Sequence, residues 1–443
     1  MRVRNWLLGS ALVAIAVVGS AEGIARRAAP AQAVRALPQT APALAGSRAL
    51  LDGYVTSGKI PGVVAAVGIG NAPAVVIADG RLAREATAAA ADGDSLWRVY
   101  SMTKPITAMA AMMLIEQGKL KLDDPISKYI PAFAKMTVLT DPTKDLSAVP
   151  AKTQITVRHL MTHTAGLGYT IVTKGPLLKA YEEAGITPFT ANLAVEQQMR
   201  RARPATLQAF AEKVATLPLI AEPGTKWSYS IGLDVLGAVI EKASGMPFDA
   251  YLQTRIFTPL KMNSTYFTVP ASAAGRLSTG YTWLGDGNMV PLDAGATSVF
   301  LQPPSFPYGG AGLVMSANDY DRFLHMLQNG GTLDGVRILK PQTVALAMSN
   351  LLPAGVDYPG AVPNTGGAPG PSQGFGAGGS VYLVDIPGGP GKGTYGWGGA
   401  AGTIAWVDPK NGVRATVMVN YIPGDRYPLR QDFTKAFYAD LAR

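Results

Sequence analysis

The sequence predicts an α+β fold in which the two ends of the chain meet. Three observations lead there. Strand patterns stand near both ends, over residues 61–80 and 403–421. Residues 120–290 between them are mostly helical patterns broken by Pro and Gly. No internal repeat interrupts that order. By length alone, the 443 residues allow one large domain or two to three ordinary ones. Hydrophobic residues make up 48% and charged residues 16%, which supports a sizeable core and argues against a disordered chain.

The elements follow in order. Residues 34–60 are Ala-rich, with helical spacing at Leu50, Leu51, Tyr54 and Val55. PGVVAAVGIGNAPAVVIADG, residues 61–80, reads as two strands joined by a Gly-Asn-Ala-Pro turn. Leu96 to Ser101 leads into a helix over Met102 to Gln117, with Met109, Met112, Met113 and Ile115 on its apolar side. Gly118 closes it, as glycine does at a helix C-terminus. IGLDVLGAVIEKASG, Ile231 to Gly245, has apolar spacing of three and four and a terminal Gly. Residues 353–379 are rich in Gly and Pro without periodicity and read as a long surface loop. Thr403 to Asp408 and Arg414 to Tyr421 flank Pro409-Lys410-Asn411-Gly412, a hairpin signal. A final helix covers Leu429 to Leu441.

The first residues need separate treatment. Arg2 and Arg4 precede the apolar run Leu7 to Ala21, which is shorter than the roughly 20 residues of a spanning helix. A basic start, a short apolar run and Ala31-Gln32-Ala33 predict a secretory signal peptide over residues 1–33. The expected location is periplasmic or secreted, with no stable membrane association after removal of the signal. Cleavage after Ala33 would reduce the formal net charge from +9 to +6. No dense basic stripe remains, so no nucleic-acid partner is expected.

Cysteine is absent, which excludes disulfides, thiolate zinc sites, iron–sulfur clusters and cysteine nucleophiles. The only histidines are His159, His163 and His325. Nucleophile and base must therefore come from residues such as serine, lysine and tyrosine. Ser101-Met102-Thr103-Lys104 is an S-x-x-K tetrad at a strand-to-helix junction. Spacing of three puts Ser101 and Lys104 on one helix face. A serine needs a base to take its proton, and a lysine serves only in its neutral form, which burial favours. By itself the tetrad is weak evidence, because a Ser cap with a snorkelling Lys also satisfies it. Tyr229 leads into the helix at Ile231 and can relay a proton if it faces a cleft. Gly396 to Gly402 precedes the strand TIAWVD, and such an edge can offer a bare N–H to an oxyanion.

Together, SLWRVYSMTKPITAMAAMMLIEQGKLKLDDPISKYIP, ITVRHLMTHTAGLGY, WSYSIGLDVLGAVIEKASGMPF, YGGAGLVMSANDYDRF and GWGGAAGTIAWVDP strongly resemble one family. It is the serine β-lactamase-like superfamily, on the branch of class C β-lactamases and family VIII carboxylesterases. The resemblance runs over about residues 45–440, and all landmarks occur in the family's order. It implies an antiparallel sheet flanked by helices plus a mostly helical subdomain. A single catalytic domain would cover residues 34–443, with its α/β part at about 40–120 and 300–443 and its helical part at about 121–299.

The resemblance makes Ser101 the acylated nucleophile, Lys104 the general base and Tyr229 the proton-sharing tyrosine of Y-x-N. Trp397-Gly398-Gly399 lies at the place of K-T-G. The backbone N–H groups of Ser101 and Ala400 would form the oxyanion hole, and Tyr169 would line the pocket. Two departures bear on the substrate: Ile231 replaces the Asn of Y-x-N, and Trp397 replaces the Lys of K-T-G. A site without that cation loses a charge-assisted hydrogen bond of about 1.5–3 kcal/mol. W-G-G is what the esterase branch tends to carry. The expectation is a carboxylesterase acting on small short-acyl esters, without cofactor or metal. The alternatives are a β-lactamase, D-amino-acid peptidase or amide hydrolase on the same machinery, an acyltransferase, or a penicillin- or peptidoglycan-binding protein that acylates without turnover.

Other motifs carry less. Gly370-Pro371-Ser372-Gln373-Gly374 matches G-x-S-x-G but lies in the Gly/Pro-rich stretch, not between strand and helix. His159 and His163 could share a helix face, yet they lack the third ligand of a zinc site, so capping or packing roles are expected. Gly388 to Thr394 lacks the first Gly and the Ser/Thr of a phosphate loop.

Overall fold

The computed structural model describes residues 43–285, 287–360 and 372–442. The predicted signal peptide and Gly370-Pro371 lie outside the described residues. The elements that place the site are α1 (Ala45–Thr56), β1 (Gly62–Ile69), β2 (Val75–Gly80), α2 (Thr103–Glu116), α3 (Gly232–Ser244), α4 (Ala317–Gln328), β3 (Gln373–Phe375), β4 (Ser380–Tyr382), β5 (Tyr395–Gly398), β6 (Ile404–Asp408), β7 (Val413–Met418) and α5 (Leu429–Leu441).

One antiparallel sheet runs β3-β4-β5-β6-β7-β1-β2. The N-terminal strand pairs with the last one, with Val64 opposite Met418 and Val67 opposite Ala415. The two ends therefore meet, as the strand patterns predict. β1 is a continuous apolar run because both of its faces are covered. Val63, Ala65 and Val67 face a cluster with Leu51, Phe433 and Phe437. Val64 and Ala66 face the larger cluster that contains α2. This alternation is the two-residue period of a strand. Fully burying each such Phe contributes about 1.5–3 kcal/mol. On the outer layer, α1 is tied to α5: the Ser47 N–H donates to Asp440 Oδ2 at 2.8 Å, and Tyr54 donates to Asp432 at 2.8 Å.

α2 is buried from Thr103 through Leu114. A helix that is apolar all round belongs inside the protein. Gly118 follows it at φ 72°, the left-handed position expected of a terminating glycine. α3 packs beside it, Ser47 to Asp440 ties the ends, and residues 121–299 add short hairpins as well as helices, at Thr137–Leu139 with Ala148–Pro150 and at Gly280–Trp283 with Met289–Asp293. Among the described residues, no helix is long and apolar enough to cross a membrane.

One expectation needs correction. Residues 353–379 are not a loop throughout, because residues 373–375 form the edge strand β3. The Gly378 N–H donates to Met161 O at 3.1 Å, and a Cβ on Gly378 would lie 2.6 Å from Lys104 O. Gly378 serves close backbone approach to α2, a role with no periodicity to read. Ser372 leads into this edge strand and stands in no strand-to-helix elbow.

Candidate active site

Ser101 sits in a 3-10 turn, Tyr100–Met102, that runs into α2. Tyr100 adopts φ 42°, a left-handed conformation that costs a tyrosine about 1–3 kcal/mol. The surroundings hold it there. The Met102 carbonyl accepts from Tyr320 Oη at 3.0 Å, and Thr103 Oγ1 accepts from the Leu313 N–H at 3.1 Å. Just upstream, buried Arg98 is paired with Asp293 and donates to Ser278 O at 2.6 Å. Removing one partner of such a buried pair costs about 3–5 kcal/mol.

Lys104 Nζ lies 3.2 Å from Ser101 Oγ, as the three-residue spacing requires. Its stem and head are completely buried. Tyr229 Oη lies 2.7 Å from the same Ser101 Oγ, and its ring is 4.7 Å from Lys104 Nζ. Serine, lysine and tyrosine thus form one contact cluster from two separate segments. Tyr169 stacks behind them, with its ring centroid 5.5 Å from Tyr229 and 5.4 Å from Lys104 Nζ. It is 2% exposed, so it backs the cluster. Ile231, expected to line the pocket, is completely buried. It caps α3, donates its N–H to Gly168 O at 3.1 Å, and turns its side chain into the core.

Trp397 is half-buried and stands 5.9 Å from the Tyr229 ring, centroid to centroid. After it the strand turns. Gly399 donates to Thr403 O at 2.8 Å and Gly402 donates to Gly399 O at 3.2 Å. The Ala400 N–H between them has no protein acceptor among the described residues, and Ala400 is exposed. Gly399 has to be glycine: a Cβ there would lie 2.3 Å from Val99 O and from Thr403 Oγ1. Gly398 is less constrained, its nearest such contact being 3.2 Å.

Several residues of the site escape a linear reading. Trp227, Phe375 and Tyr358 join Trp397 in an aromatic wall, with centroid distances of 5.2 Å for Phe375–Trp397 and 4.9 Å for Trp227–Tyr358. His163 packs 4.7 Å from the Tyr229 ring. Its Nδ1 lies 2.9 Å from Ser230 Oγ and 3.2 Å from the Ser230 backbone N. Burial first, then Lys104, holds this imidazole well below the ordinary histidine range, so it is neutral. His159 completes a capping box at Thr156, and the helix Val157–Met161 ends before His163, so the two histidines share no helix face. Arg430 donates to Gly399 O and to Gly402 O, bracing the turn around Ala400. Asp234 is fully buried; burial pushes its carboxyl up to about 7, opposed by Lys104 and the Gly310 N–H. A charge inside the apolar pattern of Ile231 to Gly245 is a signal that could have marked it.

The sequence profile described as Beta-lactamase matches residues 47–438. The chain belongs to the Beta-lactamase family. Within that family it is 34% identical over 336 residues to Protein Rv1367c of Mycobacterium tuberculosis, covering 74% of this chain and 78% of that one. It is 32% identical over 348 residues to Esterase EstB of Burkholderia gladioli, with the same coverage of 74% and 78%. Among solved structures it resembles EstCE1, described as a hydrolase with promiscuous acyltransferase activity, at TM-score 0.71 and 27% identity over 89% of this chain and 98% of that one. These relatives put the Beta-lactamase-family chain among the serine hydrolases built on this fold.

Proposed function

We propose that the protein is a carboxylesterase that works through an acyl-enzyme on Ser101. The observation that carries this reading is the cluster in which Ser101 Oγ lies 2.7 Å from half-buried Tyr229 Oη and 3.2 Å from buried Lys104 Nζ. Ser101 Oγ attacks the ester carbonyl carbon while its proton passes to the Lys104 amine. The carbonyl oxygen becomes an oxyanion held by the N–H groups of Ser101 and Ala400. Tyr229 delivers a proton to the leaving alcohol and is refilled from Lys104. Water then attacks the acyl-enzyme by the reverse proton path and frees the acid. The chain's own residues complete this cycle.

The aromatic wall of Trp227, Phe375, Trp397 and Tyr358 supports a short, apolar acyl group. Trp397 offers no charge for the carboxylate of a β-lactam, which favours esters over lactams. Acyl transfer to an alcohol in place of water is a second reading, supported by the likeness to EstCE1. Fluorophosphonate labelling together with turnover of p-nitrophenyl butyrate and nitrocefin tests the first. Ser101→Ala is expected to abolish labelling and ester turnover. Labelling that survives Ser101→Ala refutes the nucleophile, and nitrocefin turnover equal to that of the ester refutes the substrate class. Product analysis with a competing alcohol separates hydrolysis from transfer.

A further inference from the structure

A second buried network stands behind the lysine. Lys104 Nζ donates to Gly310 O at 2.8 Å, and the Gly310 N–H donates to Asp234 Oδ1 at 2.8 Å. Lys104 and Asp234 are both completely buried. Thr107 Oγ1 holds the other end of that Gly309–Gly310 peptide by donating to Gly309 O at 2.7 Å. Asp234 Oδ2 has no partner among the described residues. Leaving a buried carboxylate oxygen unpaired is costly, so a structural carboxylate would normally be fully bonded. Gly310 lies against this carboxylate: a Cβ there would be 2.5 Å from Oδ2.

We propose that Asp234 is a positioning residue for the base, acting on Lys104 through the backbone of Gly310, whose N–H it holds and whose carbonyl accepts from Lys104. The inference rests on the reading of Ser101 and Lys104 given above. In the amine form, Nζ gives one hydrogen to Gly310 O and keeps its lone pair for the Ser101 proton. When the Ser101 O–H bond breaks, the proton joins Nζ and the Oγ electron pair forms the bond to the carbonyl carbon. The new ammonium then faces the carbonyl of the Gly310–Ala311 peptide, while Asp234 holds the N–H of the preceding Gly309–Gly310 peptide and so fixes Gly310 against Lys104. The carboxylate compensates the charge that Lys104 gains. Only two titratable groups face Asp234 from the elements packed on it among the described residues: Lys104 from α2, and Tyr169 from the segment after Val157–Met161. The segment at 309–310 contributes backbone alone.

Removing the charge leaves the ammonium that forms on Lys104 less stabilised, which makes Lys104 a weaker proton acceptor. Asp234→Asn keeps the shape and an oxygen for the Gly310 N–H. It is expected to lower the rate of Ser101 acylation by about tenfold or more at the pH plateau, with KM changed by less than about threefold. In the wild type the rate is expected to fall as pH drops through about 7, where the Asp234 carboxyl titrates; in Asp234→Asn that step is expected to be absent. Gly310→Ala, which displaces the carboxylate without removing it, is expected to lower the plateau as well. The measurement is the acylation rate with a fluorophosphonate probe and kcat with p-nitrophenyl butyrate, from about pH 5 to 9, with folding checked by circular dichroism. A folded Asp234→Asn protein that keeps the wild-type plateau, or loses rate while keeping the step near pH 7, overturns the proposal. Labelling that survives in Ser101→Ala would overturn the underlying reading instead, so the two failures are distinct.

Discussion

Replacing Gly399 by alanine tests how closely the turn at Ala400 is held against the nucleophile. The new Cβ would stand 2.3 Å from two oxygens, Val99 O and Thr403 Oγ1. Real Cβ atoms essentially never come closer than 3.0 Å, so something must retreat by at least the difference. Val99 O is backbone, and Thr403 Oγ1 belongs to a short, completely buried side chain. Val99 O accepts the Met102 N–H at 3.0 Å and so closes the turn that carries Ser101. Thr403 stands at the start of β6, and its carbonyl holds Gly399. The strain therefore falls on both halves of the proposed oxyanion hole. A displacement of about 1 Å at a reacting group can cost about a hundredfold in rate. That corresponds to about 2.7 kcal/mol of transition-state stabilisation. Overpacking of this kind also costs about 1–3 kcal/mol of stability. The assay is kcat and KM with p-nitrophenyl butyrate, alongside urea unfolding. The expected result is a loss carried by kcat. A folded Gly399→Ala protein with kcat within about threefold of wild type would refute the reasoning.

Three further outcomes are expected. Tyr229→Phe removes the hydroxyl 2.7 Å from Ser101 Oγ and should lower kcat by about 10²–10⁴ while the protein stays folded; unchanged kcat would exclude Tyr229 from proton transfer. Arg430→Met removes two donors that brace the turn and should lower kcat by about tenfold or more, with Arg430→Lys recovering part of it; equal loss in both variants would deny the hydrogen-bonding role. The Asp234 carboxyl titrates at about 7 in the fold against the ordinary 3.8, so the unfolded chain releases its proton first. Its stability contribution is thus fully present below about pH 4 and is lost as pH rises to about 7, a change of about 4 kcal/mol at ~1.4 kcal/mol per pH unit. Urea unfolding at pH 5 and 8 should show a smaller loss for Asp234→Asn than for wild type; equal losses would refute the titration.

Much of the site can be read in the chain. The spacing of Ser101 and Lys104 implies their contact, because residues three apart on a helix are neighbours. The strand patterns at 62–69 and 413–418 imply a sheet, and the uninterrupted apolar character of β1 implies cover on both faces. What misled was glycine. In residues 353–379 the glycines look like looseness, yet Gly378 is there because the chain passes against the backbone of α2. Ile231 misled in the opposite way: its place in a motif suggested a pocket wall, but at a helix start its side chain turned into the core.

By itself, the sequence determined which chemistries were open. Without cysteine, and with three histidines, the candidate groups reduced to serine, lysine and tyrosine. It also determined the helix that carries Lys104 and the junction before it that carries Ser101, since local spacing and helix geometry are short-range properties. The tertiary structure alone decided what surrounds that helix. Tyr229, the aromatic wall, the turn at Ala400 with Arg430, and the path from Lys104 through Gly310 to Asp234 come from segments far apart in the chain. Burial and hydrogen-bond partnership are set when those segments pack. For that reason Asp234 reads in the sequence as an oddity within an apolar helix, and in the fold as the carboxylate behind the lysine.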